Sequence, residues 1–337
     1  MKARLARKID AIRANPGGRE FILADAKDAD TVWGVSSFGT RWPPHSDQPQ
    51  YRTLPEFLEQ IRAVVAQGIV DILLASISVM DRLAHTERLF DSSDVCPAIR
   101  ANDTSDIWCV RGGSYLESLS RPFAGGFLHE AMYGSLTAEP TSEPVIDLGL
   151  YSVTFNNDLD ADQQQLESFK TFRAEAERKR FHYFLEVFAP NVEARLSREM
   201  IPAYVNDQVA RMLAPIPASG RPLFLKIPYF GPKWMEELCA YDPSVIVGIM
   251  GGAAGTTYDS FRMLADAQRY GARAALYGRR IKDAEDPLAF IAAMRHIVDC
   301  QISPEEAVRW YHAELERQGI PAKRSLSDDM QSQPKWG

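Results

Sequence analysis

Arg221-Pro222-Leu223-Phe224-Leu225-Lys226-Ile227-Pro228-Tyr229 reads as a short apolar strand with one lysine inside it. Pro222 and Pro228 lack a backbone donor, so they belong at its two ends. A period of two puts Phe224 and Lys226 on one face and Leu223, Leu225 and Ile227 on the other. An amine on a buried strand is costly unless it is paired, neutral or chemically used. Two readings follow. Lys226 is either an ion-paired or snorkelling side chain at the strand mouth, or a nucleophile that attacks a carbonyl to form a Schiff base.

Comparable apolar runs flank this one on both sides. Strands are predicted over 21–25, 69–75, 95–100, 145–153 and 182–187 before it, and over 244–250 and 272–277 after it, eight in all. Helical periodicity alternates with them, over 2–14, 54–67, 79–89, 161–180, 191–213 with Pro202 as a possible break, 232–240, a segment ending at Tyr270, 287–298 and 304–317. Residues 34–53 read as a polar loop. The pattern predicts a (β/α)8 TIM barrel, one domain over 1–324, with a doubly wound sheet as the alternative. A six-stranded doubly wound sheet would leave two strands over, and the first strand lacks a GxGxxG turn. The connection 102–143 after the third strand is long enough to be a lid or an oligomer arm, and 325–337 reads as a flexible polar tail.

Composition excludes several classes. The formal charge is -7 with no long basic block, which argues against nucleic acid and against an anionic membrane surface. No apolar stretch approaches the roughly 20 residues of a membrane helix. Cys96, Cys109, Cys239 and Cys300 are widely spaced with no CxxC, as in a reduced, cytoplasmic protein. The basic start, Met1 to Lys8, lacks the apolar run of a signal peptide.

In a barrel, chemistry sits at the C-terminal ends of the strands. The candidates there are Asp25, Lys27, Asp28, Asp71, Arg100, Glu186, Lys226, Arg279 and Arg280. Gly251-Gly252-Ala253-Ala254-Gly255 follows the seventh strand directly, and Gly278-Arg279 follows the eighth. Such glycines let amides approach an oxyanion, a helix N-terminus adds partial positive charge, and arginine suits phosphate. Simple tight turns are the other reading of these glycines. Arg280 is expected to turn away, to solvent or a carboxylate. None of the six histidines forms HxH or HExxH spacing, so no metal site is predicted. No GxSxG elbow occurs.

Phe184-Leu185-Glu186 and Leu225-Lys226-Ile227 resemble the fifth and sixth strands of the tagatose-bisphosphate type of the class I (Schiff-base) aldolase superfamily. That group holds the deoxyribose-phosphate, tagatose-bisphosphate and archaeal-type fructose-bisphosphate aldolases. The resemblance implies Lys226 as the imine-forming lysine, Glu186 in proton transfer and Asp25 as the first-strand carboxylate. It further implies Gly251, Gly252, Gly278 and Arg279 as a phosphate grip, to which Lys27 is added as a candidate. The tagatose type carries a lysine in its fourth strand, whereas Val145 to Leu150 has none. The implied function is cleavage or formation of a C–C bond in a ketose phosphate or related sugar phosphate, without cofactor or metal, by a homo-oligomer. A sugar-phosphate isomerase or epimerase, a non-catalytic sugar-phosphate-binding barrel and a metal-dependent lyase are the alternatives.

Overall fold

The apolar runs become parallel strands that pair side by side and close into a ring. They are β1 (Ile22–Lys27), β2 (Ile72–Ala75), β3 (Cys96–Arg100), β4 (Leu148–Thr154), β5 (His182–Phe188), β6 (Leu225–Ile227), β7 (Val247–Met250) and β8 (Ala274–Tyr277). Each pairs with its sequence neighbours, and β1 also pairs with β8, so the barrel is closed. The computed structural model describes residues 1–41, 48–139, 143–193, 195–252 and 255–333. His45, Ala253 and Ala254 lie outside the described residues, as do 140–142 of the expected insertion and 334–337 of the expected tail.

Helices α1 (Ala3–Ala14), α2 (Leu54–Gln67), α3 (Leu159–Lys179), α4 (Ile201–Leu213), α5 (Pro232–Tyr241), α6 (Thr257–Arg269), α7 (Pro287–Val298) and α8 (Pro304–Gln318) begin and end on local chemistry. Thr53 and Glu56 cap the start of α2 reciprocally, and Gly68, at φ 71°, stops it. Ser303 and Glu306 do the same for α8, with Pro304 in its first turn. Pro202 starts α4 rather than interrupting a helix over 191–213. A proline costs nothing in the first turn, where its missing N–H has no acceptor anyway. No helix among the described residues is long and apolar enough to cross a membrane.

Two apolar layers follow from strand alternation. Ile22, Ala24, Leu74, Ala98, Leu150 and Phe224 belong to the cluster inside the barrel, and Leu5, Ile9 and Ile12 of α1 join it. Leu23, Leu73, Leu185, Ile227, Ile249 and Tyr277 face outward into the cluster shared with the helices. The inward set changes character toward the C-terminal ends. Above Ala24, Ala98, Leu150, Phe184 and Phe224, the same parity reaches Asp28, Arg100, Ser152, Glu186 and Lys226, all buried. The Phe184 and Phe224 rings stack at 4.7 Å, in the layer just below Glu186 and Lys226. An apolar plug thus carries a charged rim.

Two expectations change here. Asp71 precedes Ile72, so it sits at the N-terminal end of the barrel, where it pairs with Lys8 at 2.9 Å and Arg4 at 3.3 Å. It serves the barrel floor rather than the mouth. Residues 325–333 are also not a loose tail. Asp329 is buried and accepts from the Thr257 amide at 2.8 Å, while Gln331 accepts from Thr256 and Ser332 donates to Asp259. A polar segment holds its place here because its groups satisfy the exposed start of α6.

Candidate active site

Glu186 and Lys226 stand opposite each other in the β5–β6 register. Lys226 Nζ pairs with Glu186 Oε1, and both side chains are buried. The second carboxylate oxygen of Glu186 accepts from Ser152 Oγ at 2.7 Å and lies 3.6 Å from Arg100 Nη2. Arg100 then bridges onward: Nη1 donates to Ser152 Oγ at 3.0 Å and Nε to Asp28 Oδ2 at 2.6 Å. Four strands and the end of β1 therefore feed one continuous chain, Asp28–Arg100–Ser152–Glu186–Lys226. Burial works against the charged guanidinium of Arg100, but the carboxylates of Asp28, Glu186 and Asp103 outweigh it and hold this arginine above its ordinary range.

All of these linked residues but Ser152 line a cavity of about 300 Å³ at the C-terminal mouth. Lys27, Asp28, Arg100, Glu186, Lys226, Gly251, Gly252, Gly278, Arg279 and Lys282 all contribute to its wall. Part of the insertion reaches it too, through Asp106, Ile107 and Cys109. Asp106 is fixed there by the hydroxyls of Ser120 at 2.6 Å and Thr154 at 2.9 Å. Burial raises the Cys109 thiol above its usual range. Among the described residues no group of three or more His, Cys, Asp or Glu is arranged to hold a metal ion.

Asp25 is not part of this wall, which corrects its placement as the first-strand carboxylate of the mouth. It shares a register level with Leu73 and Tyr277, which face the helix layer, so its side chain points out of the barrel. There it pairs with Lys27 at 3.0 Å, and both side chains are fully buried. The carboxylate that parity brings inward is Asp28, three residues on. Lys27 is the last residue of β1 and not just past it, so its backbone edges the cavity while its amine is committed to Asp25.

The glycine positions divide. Gly251 donates its amide to Leu276 O at 2.9 Å, and a Cβ there would fall 2.5 Å from the Tyr277 ring. Its smallness is needed for packing, and its amide is already used. Gly252 sits at φ 60° with open space around its Cβ direction. At Gly278 a Cβ would lie 2.8 Å from Ala26 O. The start of α6, expected as a phosphate cradle, already holds an anion of the protein itself, the Asp329 carboxylate. Arg279 reaches into the mouth with its guanidinium 5.5 Å from the centre of the Trp33 ring. Arg280 turns away, as expected, but onto Ser260 Oγ and the carbonyls of Gly255 and Thr256 rather than to solvent or a carboxylate. Gly251→Ala is expected to cost about 1–3 kcal/mol through overpacking against Tyr277, read by urea unfolding. A variant as stable as the parent would return Gly251 to a purely ligand-binding role.

No protein-family model matches the chain. No curated protein matches it. Solved structures do. An archaeal fructose 1,6-bisphosphate aldolase superposes with a TM-score of 0.59 at 18% identity, covering 88% of this chain and 99% of that one. A Schiff-base-forming fructose-1,6-bisphosphate aldolase gives 0.60 at 18%, with 87% and 99% covered. Cgl0159 from Corynebacterium glutamicum gives 0.58 at 17%, with 90% and 99% covered. The chain thus shares the fold of these structures, a closed barrel of eight parallel strands ringed by helices.

Proposed function

We propose that this protein is a class I aldolase acting on a ketose phosphate or related sugar phosphate. The observation that carries the reading is the buried Lys226–Glu186 pair, side by side on β5 and β6 within the C-terminal cavity. The likeness in fold to archaeal Schiff-base aldolases supports it.

The chemistry runs on groups in contact. The Lys226 lone pair bonds to the substrate carbonyl carbon, and the carbonyl oxygen takes up protons and leaves as water. Glu186 is the nearest carboxylate, lines the cavity itself and handles those protons, while Ser152 Oγ holds its second oxygen in place. The C3–C4 bond then breaks. Its electron pair moves into the iminium to form an enamine, while the C4 hydroxyl gives its proton to carboxylate and becomes the aldehyde. Protonation at C3 and hydrolysis return the free lysine. Asp28 takes the place in this scheme that the first-strand carboxylate was expected to fill. Arg100, from β3, supplies the cation that tagatose-type enzymes carry on the fourth strand. Arg279 holds the phosphate.

Borohydride treatment in the presence of a panel of sugar phosphates tests this directly. The expected result is a substrate-sized mass increase on the intact protein, mapped to the peptide holding Lys226. Turnover without any trapped adduct would favour the isomerase or epimerase reading instead.

A further inference from the structure

The cations of the mouth are not equally available, and the difference has a chemical consequence. On one side, Arg100 is buried between Asp28 at 2.6 Å and Glu186 at 3.6 Å, with Ser152 at 3.0 Å. Lys226 is held by the same Glu186, and Lys27 by Asp25. Three carboxylates, Asp28, Glu186 and Asp106, form the cavity wall on this side. A phosphate placed there would have to strip a buried guanidinium of its partner and would face those carboxylates itself, which is strongly unfavourable. Hydroxyl groups, by contrast, can donate to them.

The β8 side is different. Among the described residues Arg279 has no hydrogen bond or ion pair; its guanidinium lies 5.5 Å from the centre of the Trp33 ring and feels Cys109 and Asp283 only through space. Lys282, one turn on, lines the same cavity and among the described residues is paired only with Asp283, whose side chain is 55% exposed. A pair to such an exposed carboxylate is worth little and is readily exchanged for a phosphate.

We infer that the site takes a polyol carrying a single phosphoryl group, seated against Arg279 and Lys282, with the hydroxylated remainder lying toward Asp28, Arg100 and Glu186. This rests on the reading of the mouth as a sugar-phosphate site. It goes further by excluding a bisphosphate of the kind named for the structural neighbours.

Calorimetric titration with a hexitol, its 1-phosphate and its 1,6-bisphosphate, at matched ionic strength, tests the inference. None has a carbonyl, so the outcome does not depend on imine formation, and failure of the aldolase reading would show only in the trapping experiment. The hexitol 1-phosphate is expected to bind about tenfold or more tightly than the hexitol, and at least as tightly as the bisphosphate. Arg279→Ala, and Arg279→Gln as a second variant, should remove most of the gain from the phosphate. Tighter binding of the bisphosphate, no binding of either phosphate, or an unchanged 1-phosphate affinity in both variants would overturn it.

Discussion

Lys226→Ala is expected to abolish borohydride trapping and to lower kcat/KM by on the order of 10³-fold or more, because the electron sink of the reaction is lost with the amine. Lys226→Arg should be equally inactive, since guanidinium stays protonated near neutral pH and is no nucleophile. The folded state should survive both changes. Glu186 keeps Ser152 at 2.7 Å and Arg100 at 3.6 Å, so it is not left as a lone buried charge. Glu186→Gln separates the two members of the pair. It retains the nucleophile but loses the proton carrier, so turnover should fall on the order of 10²-fold while a reduced adduct still forms. Single-turnover kinetics and peptide mapping read both effects. An adduct on Lys27 would remove Lys226 from the mechanism. That outcome would also require the barrel to open, because the Lys27 side chain is fully enclosed.

Much of this is legible in the amino-acid sequence. The number, order and spacing of apolar runs gave the barrel, because eight short strands alternating with helices leave few other closed arrangements. The inward position of Lys226 and Glu186 near the mouth is legible too, since each interrupts an otherwise apolar strand and each follows an aromatic two residues earlier. Asp25 was not. Phe21, Ile22, Leu23 and Ala24 are all buried, so the run shows no alternation from which to read which face is inward. Every position of β1 looks alike until the barrel closes, and the error of parity exchanged Asp28 for Asp25.

Long-range partners were hidden for a different reason. Arg100 meets residues 72 positions before it and 52 after it, and no local pattern encodes such a pairing. The absence of a lysine from the fourth strand is visible in the sequence, while Arg100 on β3 reads only as one more rim charge. Asp329 illustrates the same limit. A polar C-terminal segment reads as disordered by composition, yet one carboxylate placed at the start of α6 gives it a fixed position. The sequence did hold a signal for this, in Ser325 and Asp328, which cap the short helix Leu326–Asp329.

The Asp25–Lys27 pair is where the largest effect on stability is expected. Both side chains are fully buried in the layer between barrel and helices, and among the described residues neither has a hydrogen-bond partner other than the opposing charge. Burial raises the Asp25 carboxyl above its ordinary range, and the opposing pull of Lys27 does not fully offset that. Removing one partner leaves the other as an isolated buried charge, so Asp25→Leu or Lys27→Met alone should each cost about 3–5 kcal/mol. The double variant removes both charges together and should be neutral or more stable than the parent, by up to about 4 kcal/mol. The sign with pH follows from the direction of the shift. A carboxyl raised on folding adds stability below its unfolded value near 3.9 and loses that contribution as pH rises through its folded value. The advantage of the double variant should therefore grow from about pH 4 toward pH 7. Denaturant titrations of the four proteins at both pH values read this out, and other carboxylates cancel in the comparison. Single variants that each cost no more than about 1 kcal/mol would mean that the pair is solvated, as surface pairs are. Activity supplies an independent check. If the double variant folds but loses turnover, Asp25 belongs to the chemistry after all; if it turns over normally, β1 serves the site through Asp28 alone.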